Sequence, residues 1–219
     1  MKPLDDATAH RETPETVGVR YWIHTIGPAG AVSLTSLLLA WIAIGLAVTG
    51  SLRASVLCAL GAFLLDMLDG FVARRLGVSS EFGRQLDSFI DVINYSVYAA
   101  VLSIFYIAPG VLGWSVGFVI VATGILRLIR FNIEGFTDDE PIKYYRGIVV
   151  CHLSLAAITF LIFGQIFQGA PWVTALGSVV LLVLSILQLS LIKIRKTGRQ
   201  ALWAALVIPL GAAAILFLA

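Results

Sequence analysis

The chain has 219 residues, of which 59% are hydrophobic and 13% are charged, and its formal net charge is +2. Soluble domains carry about 25% charged residues, and a soluble fold of this size could not bury so much apolar surface. The composition therefore excludes a disordered chain, argues against a soluble globular domain and indicates an integral membrane protein.

Seven apolar stretches are long enough to cross a membrane, which takes about 20 mostly apolar residues. They occupy residues 29–49, 54–73, 85–107, 110–130, 147–167, 172–192 and 200–219. We therefore predict an all-α integral membrane protein, a bundle of six to seven transmembrane helices. The count depends on whether residues 200–219 span the membrane fully.

The segment before the first span, residues 16–27, reads TVGVRYWIHTIG. It mixes basic and aromatic side chains in a way that is typical of a helix lying in the membrane interface. A simple juxtamembrane linker is the alternative. We divide the chain accordingly into a cytoplasmic N-terminal segment with an interfacial helix, residues 1–28, and a membrane domain, residues 29–219.

The distribution of Lys and Arg predicts the orientation of the bundle. With the N-terminus inside, fourteen of the fifteen Lys and Arg residues fall in inner segments, and Arg53 alone falls in an outer one. Cytoplasmic segments of membrane proteins carry such an excess. The protein is thus predicted to be multi-pass, with the loops after its second, fourth and sixth spans in the cytoplasm.

Four aspartates interrupt the second and third spans. Asp66 and Asp69 are three residues apart, so they share one helix face. Asp87 and Asp91 are four residues apart and share a face in the same way. A charged carboxylate at the centre of a membrane helix costs about 2.5–3.5 kcal/mol, so we expect a ligand to bind them. Both pairs lie near the inner ends of helices joined by a short loop, which predicts one acidic pocket.

The donor set of this pocket favours hard cations. It offers only carboxylate oxygens, without His or Cys, and such ligands suit Mg²⁺ or Mn²⁺. Two ions bridged by carboxylates form a clamp for phosphoryl transfer. Arg74 adds a guanidinium suited to phosphate oxygens. Gly70 and Gly83, beside the acids, let a ligand approach the backbone, although small residues also serve close helix packing.

These residues form one continuous pattern, Asp66-x2-Asp69-Gly70-x2-Ala73-Arg74-x8-Gly83-x3-Asp87-x3-Asp91. The pattern resembles the motif of the CDP-alcohol phosphatidyltransferases without a gap or a substitution. The family places this motif on its second and third membrane helices, facing the cytoplasm, as the span prediction does here. Residues 29–219 thus resemble the membrane domain of that family.

The resemblance implies an enzyme of phospholipid biosynthesis that transfers a phosphatidyl group from CDP-diacylglycerol to an alcohol and releases CMP. It implies two divalent cations, one bound by Asp66, Asp69 and Asp87 and the other by Asp66, Asp87 and Asp91. It further implies that Asp91 is the base that deprotonates the acceptor hydroxyl. The residues implied to contact the CDP moiety are Asp69, Gly70, Ala73, Arg74 and Gly83.

The end of the fourth span bears on the identity of the acceptor alcohol. Its Leu-Arg-x-x-Arg-Phe-Asn string, with Arg127 and Arg130, resembles that of membrane-embedded phosphatidylserine synthases. The two arginines would hold the carboxylate of L-serine or the lipid phosphate, unless they are only positive-inside anchors. Two departures from that pattern are Val32, where an Asn is usual three residues before Thr35, and Ile148, where a Pro is expected.

L-Serine is therefore the predicted acceptor, with inositol phosphate, glycerol phosphate and choline as alternatives. Choline would need an aromatic cage, for which Tyr95, Tyr98, Tyr144 and Tyr145 are available.

A function of another class, a cation or proton transporter, would also place acids in a membrane bundle, and a catalytically silent scaffold is a third reading. The expected partners are CDP-diacylglycerol, a small alcohol, membrane lipids and a second copy in a homodimer, but no nucleic acid. In a bacterium the protein would lie in the cell inner membrane.

Overall fold

The computed structural model describes residues 19–78, 80–134, 144–195 and 200–217. Within these ranges the chain forms seven helices and two strands of three residues each. The helices are α1 (Val19–Val48), α2 (Leu52–Leu76), α3 (Glu81–Ile107), α4 (Val111–Glu134), α5 (Cys151–Ile166), α6 (Pro171–Leu189) and α7 (Gln200–Phe217), and the strands are β1 (Tyr144–Arg146) and β2 (Lys193–Arg195).

The helices have the length and composition of a membrane bundle, which confirms the predicted fold class. Five of those in the described ranges are long and apolar enough to cross a membrane: Ile26–Val48 within α1, and the whole of α2, α3, α4 and α6. Helix α5 has 16 residues, and the apolar part of α7, Val207–Phe217, is also short. The count of six to seven spans therefore stays a prediction.

Helix α1 is broken where the sequence analysis divides the chain. Gly27 has φ +60° and ψ −175°, which is not helical, and Pro28 follows it. Proline has no backbone N–H and fixes its own φ, so the chain restarts a helix at this point. The turns from Val19 to Ile26 thus precede the membrane helix as a separate piece, and their predicted place in the interface stays a prediction.

The two strands are a feature that the sequence analysis did not predict. They pair antiparallel, with Tyr144 opposite Arg195. Gly147 continues the ladder, because its N–H donates to the carbonyl of Ile192 at 2.9 Å. It has φ +74°, and a Cβ there would lie 2.3 Å from the carbonyl oxygen of Gln188. Only glycine fits this position. Its close contact ties the segment before α5 to the end of α6.

Helix α3 contains two π-helical stretches, Val92–Val97 and Ser103–Ile107. Such stretches are rare and occur often at functional sites. Helix α4 lies tightly against both of them, because its glycines leave room. A Cβ on Gly124 would come within 2.1 Å of the Ser96 hydroxyl oxygen, and one on Gly113 within 1.9 Å of the Ala108 carbonyl oxygen. Small residues permit such close approach between membrane helices.

The core of the bundle is apolar and runs through α2 to α6. Fully buried side chains on facing helices include Val56, Tyr98, Leu102, Ile120, Ile158 and Leu181. Large apolar side chains on the outer faces are exposed, which suits contact with lipid tails. Some polar groups inside the bundle pair with backbone: the Ser55 hydroxyl donates to the carbonyl of Ala43 at 2.7 Å and also meets the Tyr98 hydroxyl at 3.0 Å.

The close contact of α3 and α4 predicts a stability effect. Gly124→Ala should lower the midpoint of thermal unfolding in detergent by several degrees, because the added methyl group overlaps Ser96 and overpacking costs about 1–3 kcal/mol. Gly45→Ala in α1 is the matched control, since no atom lies within 4 Å of its Cβ position. Equal midpoints for the two variants would contradict this packing.

Candidate active site

The turn between α2 and α3 brings the acidic residues together. Helix α2 ends at Gly77, which is left-handed with φ +66° and whose N–H bonds to the carbonyl of Ala73. Ser80 then caps α3 by accepting the N–H of Gly83 at 3.0 Å. The chain reverses direction within these few residues. The acidic faces of the two helices beside this turn therefore meet.

Three of the four predicted carboxylates form a compact cluster. One oxygen each of Asp66, Asp69 and Asp87 lies within 4.8 Å of the other two. Asp69 is buried, with 5% exposure, whereas Asp66 and Asp87 are partly buried. Asp91 lies one turn further along α3, within electrostatic range of Asp66 and Asp87. The structure thus brings all four residues into one region, with Asp91 at the edge farthest from the turn.

The cluster fits a hard divalent cation. Asp66 Oδ1 and Asp91 Oδ1 are buried and have no hydrogen-bond partner, so each keeps an oxygen available for a cation. Ligands on opposite sides of a Mg²⁺ ion are about 4.2 Å apart, twice the usual Mg–O distance. The 4.8 Å spread of the three oxygens is close to that value. Small side-chain movements would therefore let one ion contact all three.

Hydrogen bonds from other helices hold two of these carboxylates. The Ser33 hydroxyl in α1 donates to Asp69 Oδ2 at 2.5 Å, and the Tyr95 hydroxyl in α3 donates to Asp66 Oδ2 at 2.7 Å. The sequence analysis missed both roles. Tyr95 stands four residues after Asp91, so helical spacing could have placed it on the acidic face. Ser33 directly follows Val32, the position where the resemblance expects an Asn.

Side chains of their own turn lie nearest to the two motif glycines. A Cβ on Gly70 would lie 3.2 Å from the Arg74 guanidinium, and one on Gly83 would lie 3.2 Å from the Ser80 hydroxyl oxygen. Close packing against another helix therefore does not account for either glycine. Ala73 is partly buried and Arg74 is exposed, on the turn that precedes Gly77. This surface beside the acids is accessible to a phosphate-bearing ligand.

The two arginines of α4 have different surroundings. Arg127 is buried, with 4% exposure, and its Nε donates to the carbonyl of Ile148 at 2.7 Å. Its charge lies within electrostatic reach of Asp91. Arg130 instead donates to the carbonyls of Gln188, Leu189 and Ser190, at 2.9–3.3 Å. A cation at the C-terminal end of a helix stabilises that end, so Arg130 supports α6.

Further contacts join the end of α4 to the acidic helix. Asn132 accepts a hydrogen bond from Ser88 at 3.1 Å and donates to Gln85 at 3.3 Å.

Of the four tyrosines considered for an aromatic cage, Tyr95 and Tyr98 are buried and hydrogen-bonded inside the bundle. The side chains of the other two lie outside the described residues. The described part of the chain thus offers no support for a choline cage.

The comparisons with known proteins agree with this geometry. A family described as CDP-alcohol phosphatidyltransferase matches residues 28–208, which is most of the chain. A CDP-diacylglycerol--serine O-phosphatidyltransferase of Helicobacter pylori is 40% identical over 80 residues, covering 36% of this chain and 34% of the relative.

Two further relatives show a similar extent of likeness. An archaetidylserine synthase of Methanothermobacter thermautotrophicus is 41% identical over 101 residues, covering 42% of this chain and 41% of that protein. A CDP-diacylglycerol--serine O-phosphatidyltransferase of Bacillus subtilis is 34% identical over 96 residues, covering 38% of this chain and 49% of that protein. The chain spans less than half the length of these curated relatives in each match.

The cluster predicts direct binding of divalent cations. Millimolar Mg²⁺ or Mn²⁺ should raise the midpoint of thermal unfolding of the purified protein, because a ligand that binds only the folded state stabilises it. Asp66→Asn and Asp87→Asn should each abolish most of that rise, since each removes a charged ligand from the cluster. Glu81→Gln is the control, because Glu81 is exposed and pairs with Arg84 at 2.9 Å. A rise that survives in both Asp variants would place the cation elsewhere.

Proposed function

The chain belongs to the CDP-alcohol phosphatidyltransferase family, and we propose that it transfers a phosphatidyl group from CDP-diacylglycerol to L-serine with release of CMP. The observation that carries this proposal is the acidic cluster beside the turn between α2 and α3, flanked by the partly exposed Gly70 and Gly83. The names of the three relatives support serine as the acceptor.

The residues around the turn account for binding of the CDP-linked lipid. Gly70, Ala73, Arg74, Gly83 and Asp69 would contact the CDP moiety, with the Arg74 guanidinium on a phosphate. Apolar side chains on the outer faces of the same helices are exposed, among them Leu68, Phe71 and Phe89. The acyl chains can therefore stay in the lipid while the headgroup enters the pocket from the side.

Two metal ions are part of the proposal. Asp66, Asp69 and Asp87 would hold one, and Asp66, Asp87 and Asp91 would hold the other. Bound Mg²⁺ or Mn²⁺ would offset the charge of the diphosphate and stabilise the departing CMP. The unpartnered oxygens of Asp66 and Asp91 support this assignment.

Asp91, at the edge of the cluster farthest from the turn, would act as the base. Its carboxylate takes the proton of the serine hydroxyl, whose oxygen then bonds to the phosphorus of the phosphatidyl group. The bond from that phosphorus to the oxygen of CMP breaks, and CMP leaves with the electron pair. A positioned base typically contributes 10²–10⁴-fold to such a step.

Arg127 is the residue proposed to bind the serine carboxylate. Its forked donors can bind a carboxylate at two points, and its charge lies within electrostatic reach of the proposed base. A serine held by Arg127 therefore presents its hydroxyl toward Asp91. Arg130 was the second candidate, but its contacts with the end of α6 favour a structural role.

The placement of the enzyme in the cell is also a proposal. The Lys and Arg distribution puts the cluster on the cytoplasmic side, where soluble serine is available. In a bacterium this is the inner membrane. The homodimer expected from the sequence stays a prediction that the mass of the detergent-solubilised protein would check.

The acceptor is tested with a panel of alcohols. Purified protein is given CDP-diacylglycerol and Mg²⁺ or Mn²⁺, with serine, inositol phosphate, glycerol phosphate or choline in turn, and CMP release is measured. We expect serine to give at least tenfold more CMP than the other three. Ion flux through proteoliposomes without CMP release would support a transporter instead.

The role of Arg127 predicts a selective loss of serine binding. Arg127→Lys should raise the serine KM about tenfold, since a lost charge-assisted hydrogen bond costs roughly 1.5–3 kcal/mol, while the KM for CDP-diacylglycerol changes far less. Arg130→Lys is the matched control: it should lower the unfolding midpoint through the lost carbonyl contacts and leave the serine KM unchanged. If both KM values rise together in Arg127→Lys, this arginine binds the shared phosphate or supports the fold.

A further inference from the structure

We propose that Tyr95 is a positioning residue for the metal-bridging carboxylate of Asp66, and that the π-helical stretch Val92–Val97 holds it in place. This inference rests on the proposed function, because it assigns a cause to the geometry of the metal cluster. Neither the motif nor the predicted site contains Tyr95.

The hydrogen bond from Tyr95 gives the two carboxylate oxygens of Asp66 different surroundings. The Tyr95 hydroxyl donates to Oδ2 at 2.7 Å, whereas Oδ1 is buried without a partner. One oxygen is thereby fixed by protein, and the other is left for a cation. Hydrogen-bond donors to a metal-binding carboxylate orient that ligand, and their loss typically costs 10–100-fold in metal affinity.

The hydroxyl is delivered by a rigid ring. Tyr95 is only 4% exposed, and its ring meets Phe63 of α2 edge-to-face, with centroids 5.9 Å apart and an angle of 78°. Edge-to-face pairs of this geometry are favourable. Phe63 stands three residues before Asp66, so the same face of α2 receives both the ring and the hydroxyl of one side chain.

The π-helical stretch anchors this side chain from three directions. Asn94 donates to the Ser36 hydroxyl of α1 at 2.7 Å, and that hydroxyl donates on to the carbonyl of Ala62 in α2. Tyr95 reaches Asp66 in α2, and Ser96 packs against Gly124 of α4. Three consecutive side chains thus contact three helices. Such π-helical stretches are common at functional sites.

A purely structural role for the Tyr95 hydroxyl can be separated from a positioning role with Tyr98. Tyr98 is fully buried on the same helix, and its hydroxyl meets the Ser55 hydroxyl at 3.0 Å. It has no described hydrogen bond to an acidic residue. Tyr98→Phe therefore removes an equivalent buried hydroxyl and leaves the contact between Tyr95 and Asp66 in place.

The test measures Mn²⁺ binding to the full chain in detergent, without substrate, from the electron paramagnetic resonance signal of free Mn²⁺. We expect Tyr95→Phe to weaken Mn²⁺ binding about tenfold and Tyr98→Phe to leave it at the wild-type value. In the CMP-release assay, Tyr95→Phe should need about tenfold more Mn²⁺ for half-maximal activity, with the serine KM unchanged. Tyr95→Gln, which keeps a donor, should bind Mn²⁺ more tightly than Tyr95→Phe.

Wild-type Mn²⁺ affinity in Tyr95→Phe would overturn the inference, and so would equal losses in the Tyr95→Phe and Tyr98→Phe variants. If Tyr95→Phe is not recovered folded, the comparison rests on Tyr95→Gln, whose Mn²⁺ affinity should then lie within about threefold of wild type; a tenfold loss would count against the inference. Failure of the proposed function has a different signature: the wild-type protein would bind Mn²⁺, and Tyr95→Phe would weaken that binding, but no acceptor would release CMP.

Discussion

Repulsion between carboxylates is the constraint around which this molecule is built. Two unit charges 4.8 Å apart repel by about 3 kcal/mol at an effective dielectric constant of about 20, and the cluster contains three such pairs before Asp91 is added. A membrane bundle has little water with which to offset this repulsion. The divalent cations of the proposed function would offset this repulsion. The hydrogen bonds of Ser33 and Tyr95 and the charge of Arg127 each supply a smaller compensation from a different helix.

The positions of the acidic residues could be predicted because they follow from local periodicity. Spacings of three and four residues place each pair on one helix face, and a short loop fixes the antiparallel order of α2 and α3. The fold class could be predicted for the same reason, since length and apolar content are properties of a single segment. For the early and middle spans, the helix ends in the structure lie within a few residues of the predicted limits.

Features that depend on contacts between distant segments could not be predicted in the same way. No local pattern distinguishes the π-helical turn at Val92–Val97 from an ordinary helix, because the close approach of Gly124 to Ser96 is set by packing. The pairing of β1 with β2 joins segments about fifty residues apart. The difference between Arg127 and Arg130 has the same origin. The two are three residues apart on one helix, yet Arg127 donates to the carbonyl of Ile148 and Arg130 donates to carbonyls at the end of α6.

The π-helical turn also separates two requirements that an unbroken helix would couple. Each residue advances an α-helix by about 100°, so in a regular helix any rotation that improves packing at Leu102 would turn Asp87 and Asp91 by the same amount. The wider turn between them absorbs such a difference in angle. The acidic end of α3 can therefore keep facing α2. The apolar end can turn to the angle at which it packs best against its neighbours. Substitutions in the core beyond Tyr98 should consequently accumulate during divergence without rotating the catalytic face.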